Sequence, residues 1–80
     1  MVEVRFKGPL SQFFGASVSV QDCGEVSELL AKLDKGGTLT KEGKIRPGLL
    51  VLINGKDWRL HLGPVGLTDI VEVIPVNHGG

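Results

Sequence analysis

The residue types that most often carry covalent chemistry are scarce in this sequence. It has one cysteine, Cys23, and two histidines, His61 and His78. A cysteine nucleophile needs a base within hydrogen-bond reach, and no local motif brings either histidine to Cys23. Cys23 lies near a predicted helix N-terminus, which favours a reactive thiolate. A small inert or buried thiol is nevertheless the simpler interpretation.

The segment 36–45, GGTLTKEGKI, has the glycines and lysines of a phosphate-binding loop but lacks two defining residues. The motif G-x-x-x-x-G-K-[ST] requires a glycine at position 38 and a hydroxyl at position 45, where the chain has Thr38 and Ile45. A single cysteine also excludes Cys-rich zinc sites and the four-thiolate cluster of a ferredoxin. We therefore predict no metal site, no cofactor and no enzyme activity of the chain itself.

The C-terminal carboxylate of Gly80 is the remaining group of interest. A carboxylate reacts once its oxygen is made a leaving group, and the common biological route is attack on the α-phosphate of ATP to give an acyl adenylate. Gly79 and Gly80 have no Cβ, so they can enter a narrow channel in another enzyme. Taken alone, two glycines favour an ordinary mobile end or an expression remnant, so the interpretation depends on the fold before them.

The first half of the chain changes from a strand pattern to a helix pattern. Residues 2–7, VEVRFK, and 18–20, VSV, alternate in polarity and predict an N-terminal β-hairpin with turn residues between Gly8 and Ala16. A helix is predicted next, because four apolar side chains have the spacing i, i+3, i+4 and i+7: Val26, Leu29, Leu30 and Leu33.

Both ends of this helix carry recognisable signals. Asp22 and Glu25 have the spacing of a capping box, which predicts the start. Gly36 and Gly37 favour a left-handed stop. A polar connection, 38–47, is expected to follow.

The second half of the chain predicts further strands. The short apolar run 49–54, LLVLIN, is typical of an interior strand and is closed by the turn pair Asn54–Gly55. Residues 57–63, DWRLHLG, alternate again and predict a strand with Trp58, Leu60 and Leu62 on one side.

The last strand is predicted over 69–76, DIVEVIPV, and Glu72 determines which way its side chains face. Because side chains alternate along a strand, an outward Glu72 sends Val71 and Val73 to the core. The outward face would then carry apolar residues as well, namely Ile70, Ile74 and Val76. Pro75 lacks an N–H and predicts the end of strand pairing near this point.

The order strand-strand-helix-strand-strand predicts an α+β fold, in which a mixed sheet wraps one main helix. One helix covers one face of the sheet, so the other face is left for solvent or a partner. We expect a single domain over residues 1–76 and a flexible tail over 77–80.

Charge and hydropathy restrict the partners and the compartment. Nine basic and nine acidic residues are scattered along the chain, which indicates no direct nucleic-acid contact and no anionic membrane surface. Charged residues interrupt the first twenty positions, so a signal segment is not expected. We predict a monomeric cytoplasmic protein, and the lone cysteine suits a reducing compartment.

Three stretches together resemble a known family: 46–60, RPGLLVLINGKDWRL, then 67–76, LTDIVEVIPV, and the terminal NHGG. They are similar to the ubiquitin-related modifiers and the small sulfur carriers of molybdopterin, thiamine and tRNA thiolation pathways. The resemblance implies a ubiquitin-like β-grasp fold. It also implies an E1-like activating enzyme that adenylates the terminal glycine, and a persulfide that converts it to a thiocarboxylate.

The same resemblance assigns roles to individual residues. Gly80 would bear the reacting carboxyl group and Gly79 would supply a slender approach. The partner surface beside the tail would comprise Ile74, Val76, Leu52 and His78. The thiocarboxylate would donate sulfur for tRNA thiolation or molybdopterin synthesis, and the activated carboxyl could instead form an isopeptide bond with a target lysine.

Several alternatives stay open at the level of sequence. Ubiquitin has arginines just before its glycines, whereas this chain has Val76, Asn77 and His78, which argues against ubiquitin's own activating machinery. The ending HGG is more similar to the ubiquitin-related modifier of tRNA thiolation than to the molybdopterin carriers. A protein of another class, a non-covalent adaptor that uses only its sheet face, would fit the same fold.

Overall fold

The computed structural model describes residues 1–21 and 24–76. In chain order the elements are β1 (Val2–Phe6), α1 (Pro9–Phe14), β2 (Ser17–Val20), α2 (Val26–Leu33), β3 (Thr40–Lys41), β4 (Lys44–Ile45), β5 (Leu49–Ile53), β6 (Lys56–Asp57) and β7 (Ile70–Pro75). Within the described residues, five strands form a mixed sheet in the order β2-β1-β7-β5-β6, and β3 pairs with β4 in a small second sheet.

The sheet has the α+β arrangement predicted from the sequence. Strands β1 and β7 are parallel, and the other neighbours are antiparallel. The N-terminal hairpin is confirmed by the pairing of β1 with β2. The run at 49–54 forms an interior strand between β7 and β6, and it closes at Asn54 and Gly55, which both have positive φ, as the turn signal predicted.

One face of the sheet and one side of α2 form the core. Strand β1 alternates strictly between buried and half-buried residues, as expected when only one face is covered. The core consists of Val2, Val4, Phe6, Leu10, Val26, Leu29, Leu30, Leu39, Val51, Ile53, Val65, Val71 and Val73. Burying each such side chain contributes about 1.5–3 kcal/mol, so this single cluster supplies most of the hydrophobic stabilisation.

The segment between the first two strands is helical, which corrects the prediction of a turn. Gly8 adopts a positive φ of 58°, and Pro9 occupies the first turn of α1, where its missing N–H costs nothing. Phe14 stacks on Phe6 with ring centroids 4.7 Å apart, and Leu10 is buried. This six-residue helix is stabilised by tertiary contacts and is too short to show a helical period.

The polar connection after α2 also contains structure that the sequence did not reveal. Strands β3 and β4 form a two-residue ladder, with Thr40 opposite Ile45 and Lys41 opposite Lys44. Leu39, which precedes the ladder, is fully buried.

The prediction of a strand over 57–63 is wrong. Strand β6 ends at Asp57, whose carboxylate accepts the Arg59 N–H at 2.9 Å and starts a 3-10 turn over Trp58–Leu60. Trp58 packs against the core, whereas Leu60 and Leu62 are 70% and 94% exposed. The local cap therefore prevails over the alternating pattern, as is common for aspartate before a turn.

Helix α2 differs from the prediction at both ends. Its N-cap is Glu25, which forms a capping box with Glu28; Asp22 lies outside the described residues. The helix ends at Leu33, before the Gly36–Gly37 pair that was expected to stop it.

Asp34, the C-cap residue of α2, binds the backbone of the segment that follows the helix. Its carboxylate accepts the N–H groups of Leu39 at 2.9 Å and Thr40 at 3.0 Å, and the Thr40 hydroxyl at 3.1 Å. Desolvation alone would raise the pKa of Asp34, but these hydrogen bonds favour the charged form more strongly and lower the pKa below its ordinary value of 3.8. Asp34 thus joins α2 to the β3–β4 hairpin.

Asp34→Asn should destabilise the fold in a pH-dependent way. At pH 7 we expect the free energy of unfolding to fall by about 1–3 kcal/mol, because an amide cannot replace a charged acceptor of several hydrogen bonds. Because the pKa of Asp34 is lower in the folded state than in the unfolded state, its stabilising contribution is complete at pH values above the unfolded-state pKa. This contribution is lost as the pH falls through the folded-state pKa. The difference between the two proteins should therefore narrow below about pH 4.

Urea denaturation at several pH values measures this difference. Glu42→Gln, the same acid-to-amide change at an exposed turn residue, is the matched control. A difference between Asp34→Asn and the parent protein that stays constant down to pH 2 would contradict the assigned role.

Candidate functional site

The outward face of β7 is apolar at its C-terminal end. Val71 and Val73 are fully buried, whereas Glu72 and Ile74 between them are half-buried and lie on the opposite face. Val76 continues the outward series two residues later and is 39% exposed. The orientation inferred from Glu72 is therefore confirmed.

Strand β5 extends this apolar surface. Leu50 lies opposite Ile74 and Leu52 lies opposite Glu72, and directly paired residues of an antiparallel ladder point to the same face. Leu52, whose orientation the sequence did not determine, is thus outward. Leu50 was missed, although it is two residues from Leu52 in the same strand. We call Leu50, Leu52, Ile74 and Val76 the apolar strip.

The part of the outward face near β1 carries charged residues that pair with one another. Arg5 contacts Glu3 on β1, and the hydrogen bond from Arg5 is the main reason that the pKa of Glu3 is lowered. Lys7 Nζ lies 3.9 Å from the Glu72 carboxylate. The apolar strip therefore lies beside a surface whose charges largely compensate each other.

A hydrogen-bonded clamp sets the alignment of β5 with β7. The Asn54 and Ile70 backbones bond at 2.8 Å, and the Asn54 side chain accepts the Ile70 N–H at 2.9 Å and donates to Asp69 at 2.8 Å. Asp69 also accepts the Gly66 N–H at 2.7 Å, and these two donors, Gly66 first, lower its pKa. The clamp fixes which residues of β5 face Ile74.

The sheet holds the chain up to Val76. The Val76 N–H donates to the Gly48 carbonyl at 2.7 Å, so pairing continues one residue beyond Pro75. Successive residues of a strand bond to opposite neighbours, so the nitrogen of Pro75 faces the side of β1, past the Lys7–Val73 hydrogen bond of 3.0 Å. Its missing N–H therefore costs no ladder bond, and the predicted end of pairing near Pro75 is correct to one residue.

Four predicted residues cannot be placed: Cys23, His78, Gly79 and Gly80 lie outside the described residues. His61, the histidine that can be placed, has its Nε2 3.2 Å from the Pro64 carbonyl and 3.7 Å from the Asp69 carboxylate. It belongs to the loop before β7 and lies on no part of the apolar strip.

Neither a metal-binding cluster nor a membrane-spanning helix occurs in the described part of the chain. Residues 1–21 and 24–76 contain no group of three or more His, Cys, Asp or Glu side chains that could hold a metal ion. None of the helices in the same ranges has the length and apolar character needed to cross a membrane.

Several solved structures have the same fold. The crystal structure of Sulfolobus solfataricus Urm1 is 38% identical with a TM-score of 0.81, and the match covers 91% of this chain and 97% of that one. The solution structure of the Haloferax volcanii HVO 2177 protein is 28% identical with a TM-score of 0.77, covering 99% and 85%. A chain from the crystal structure of the Amycolatopsis orientalis BexX/CysO complex is 23% identical with a TM-score of 0.74, covering 100% of both.

The sheet topology and these neighbours define a ubiquitin-like β-grasp protein, as the resemblance implied. No curated protein sequence gave a match. The family model for Urm1, ubiquitin related modifier, matches residues 2–80, and the chain belongs to that family. Proteins of this class are small sulfur carriers and ubiquitin-like protein modifiers, which confirms the function predicted from the sequence.

Aspartate substitutions at adjacent positions test the orientation of β7. Ile74→Asp should change the free energy of unfolding by less than about 1 kcal/mol, because the new carboxylate reaches water from the outward face. Val73→Asp should cost several kcal/mol or abolish folding, because it buries an unpaired charge. Urea denaturation followed by circular dichroism compares the two, and equal losses of stability would mean that the assigned orientation is incorrect.

Proposed function

We propose that Gly80 carries the reactive carboxyl group of a sulfur carrier and modifier that an E1-like enzyme activates with ATP. The supporting observation is that the last described backbone hydrogen bond, between Val76 and Gly48, lies beside the apolar strip. Val76 belongs to the apolar strip and is held by Gly48, and four more residues, two of them glycines, lead to Gly80. At about 3.3–3.6 Å per residue these four can span about 13–14 Å, so the carboxyl group can reach a site in a partner that contacts the apolar strip.

The proposed chemistry begins with the Gly80 carboxylate. Its oxygen attacks the α-phosphorus of ATP, pyrophosphate leaves, and an acyl adenylate forms. A persulfide sulfur on a partner then attacks the carbonyl carbon and AMP departs, which leaves an acyl disulfide. Attack by a partner thiol on the other sulfur of the acyl disulfide, the one attached to the partner protein, releases the thiocarboxylate and leaves a protein disulfide. The catalytic groups belong to the partners, and this chain supplies the substrate carboxyl.

The apolar strip is the proposed docking surface for the activating enzyme. Leu50 and Val76 are 36% and 39% exposed, and with Leu52 and Ile74 they form one surface next to the start of the tail. Contiguous exposed apolar residues mark protein interaction sites more often than isolated ones do. The structure of CysO in a complex with BexX is an example of a protein of this fold with a partner.

The possible functions of the activated protein differ in the molecule that receives the sulfur or the acyl group. Sulfur donation for tRNA thiolation, sulfur donation for molybdopterin synthesis and isopeptide formation with a lysine all use the same activated carboxyl. A non-covalent adaptor that uses only the apolar strip is the second candidate, since the strip alone would suffice for it.

Mass spectrometry of the protein purified from its native cell tests the thiocarboxylate. Replacement of the terminal oxygen by sulfur should add about 16 Da, and alkylation by iodoacetamide should distinguish this product from oxidation at another residue. Native protein that ends at Gly80 and stays unmodified even in sulfur-rich cells would count against sulfur transfer. Adducts at target lysines under those conditions would instead favour the modifier role.

Deletion of Gly80 distinguishes the carrier from the adaptor. ATP–pyrophosphate exchange by the cognate activating enzyme should disappear, because the terminal carboxyl is displaced from the catalytic centre by one residue. The free energy of unfolding should stay unchanged, because the deletion removes no described contact. If the protein is an adaptor, the deletion should be harmless and Ile74→Asp should abolish partner binding.

A further inference from the structure

A shallow depression of about 230 Å³ lies close to Val76, the last described residue. It is lined by Ile45, Arg46, Pro47, Leu49, Leu50, Asp57, Trp58 and Arg59. Gly48, which directly follows Pro47, holds the Val76 N–H. Leu50 belongs to both the depression and the apolar strip, so the two surfaces are continuous.

The two arginines of the depression differ in their hydrogen-bond partners: Arg59 binds a carboxylate and Arg46 binds a backbone carbonyl. Arg59 donates to both carboxylate oxygens of Asp57, at 3.0 and 2.9 Å. This pairing, with the Arg59 backbone N–H, lowers the pKa of Asp57 to about 2. Arg46 donates to the Gly37 carbonyl at 3.0 Å. No carboxylate of the described residues pairs with Arg46, so its guanidinium is oriented by the Gly37 carbonyl and its charge is not balanced by an adjacent described carboxylate.

The apolar part of the depression is formed around Trp58. This residue is the single tryptophan of the sequence, and it is half-buried against the core. Leu49 and Pro47 lie beside it. A half-buried aromatic ring next to an uncompensated guanidinium suits a segment with one large apolar side chain and a neighbouring carboxylate.

The four residues between Val76 and the C-terminus limit the positions at which a partner can bind. An enzyme that binds the Gly80 carboxylate must lie within about 14 Å of Val76, the span of four extended residues. On the β1 side of Val76, Lys7 is paired with Glu72. On the β5 side, Arg46 is unpaired among the described residues. Of these two positive charges near Val76, the one available to attract an acidic partner is therefore Arg46, on the side of the depression.

We propose that the depression receives an acidic segment of the activating enzyme, with an apolar side chain against Trp58 and a carboxylate on Arg46. This inference rests on the proposed function and adds a second, electrostatic contact to the apolar strip. It identifies Arg46 as a positioning residue that affects capture of the protein and takes no part in the chemistry of adenylation.

Charge reversal at Arg46 tests the contact. In ATP–pyrophosphate exchange by the cognate activating enzyme, Arg46→Glu should raise the KM for this protein about tenfold or more, and Arg46→Ala less, with kcat unchanged. The KM of the parent protein should rise with salt, and that of Arg46→Ala should rise less steeply. Lys56→Glu, the same charge reversal at the first residue of β6 and outside the lining of the depression, is the matched control and should change KM less than about twofold.

A second readout observes the depression directly. With 5-fluorotryptophan at Trp58, the single fluorine resonance should shift when the activating enzyme is added, and Arg46→Glu should weaken this response. A fluorine shift that depends on the concentration of the labelled protein alone would mean that a second copy fills the depression. That result would overturn the proposal.

The remaining outcomes separate this inference from the proposed function. If Gly80 deletion abolishes exchange but Arg46→Glu behaves like Lys56→Glu, the depression has no role and the carrier function stands. If the activating enzyme does not adenylate even the parent protein, both proposals fail. Circular dichroism and urea denaturation check that Arg46→Glu and Arg46→Ala are folded.

Discussion

The alignment of β5 with β7 is the constraint on which the rest of the site depends. In a ladder, a shift of one residue moves every side chain to the other face. Here the clamp of Asn54, Asp69 and Ile70 fixes one end of the pairing, and the Gly48–Val76 hydrogen bond fixes the other. The same alignment places Val51 and Val73 in the core, so the interior and the outward apolar surface are determined together.

The outward face combines surfaces of different chemical character. Glu3 and Arg5 of β1 pair with each other, and Lys7, which follows β1, pairs with Glu72; this limits attraction of unwanted partners to that half. The apolar half meets the depression that contains Arg46. Apolar contact would provide binding free energy, and the free guanidinium would provide orientation and faster encounter with an acidic partner.

The elements that the sequence predicted correctly are those with an unambiguous pattern. Glu72 between two valines determined the orientation of β7, and the spacing of the apolar residues identified α2. Leu52 stayed undetermined because an unbroken apolar run has no polar residue to mark its outward side. The clamp that orients it joins Asn54 to residues fifteen and sixteen positions away, which local patterns do not register. The strand predicted over 57–63 failed because the Asp57 cap turned the chain.

Pro75 and the Val76 hydrogen bond determine how the end of β7 is held to the sheet. Because Pro75 contributes no ladder hydrogen bond, the contact after Gly48–Val76 is the pairing of Leu50 with Ile74. Breaking the single hydrogen bond at Val76 would thus free two residues at once and add about 7 Å of extended chain. Further peeling must break the ladder itself. The reach of the residues beyond the sheet is therefore set by one hydrogen bond, and any longer reach requires breaking pairs of β5 with β7.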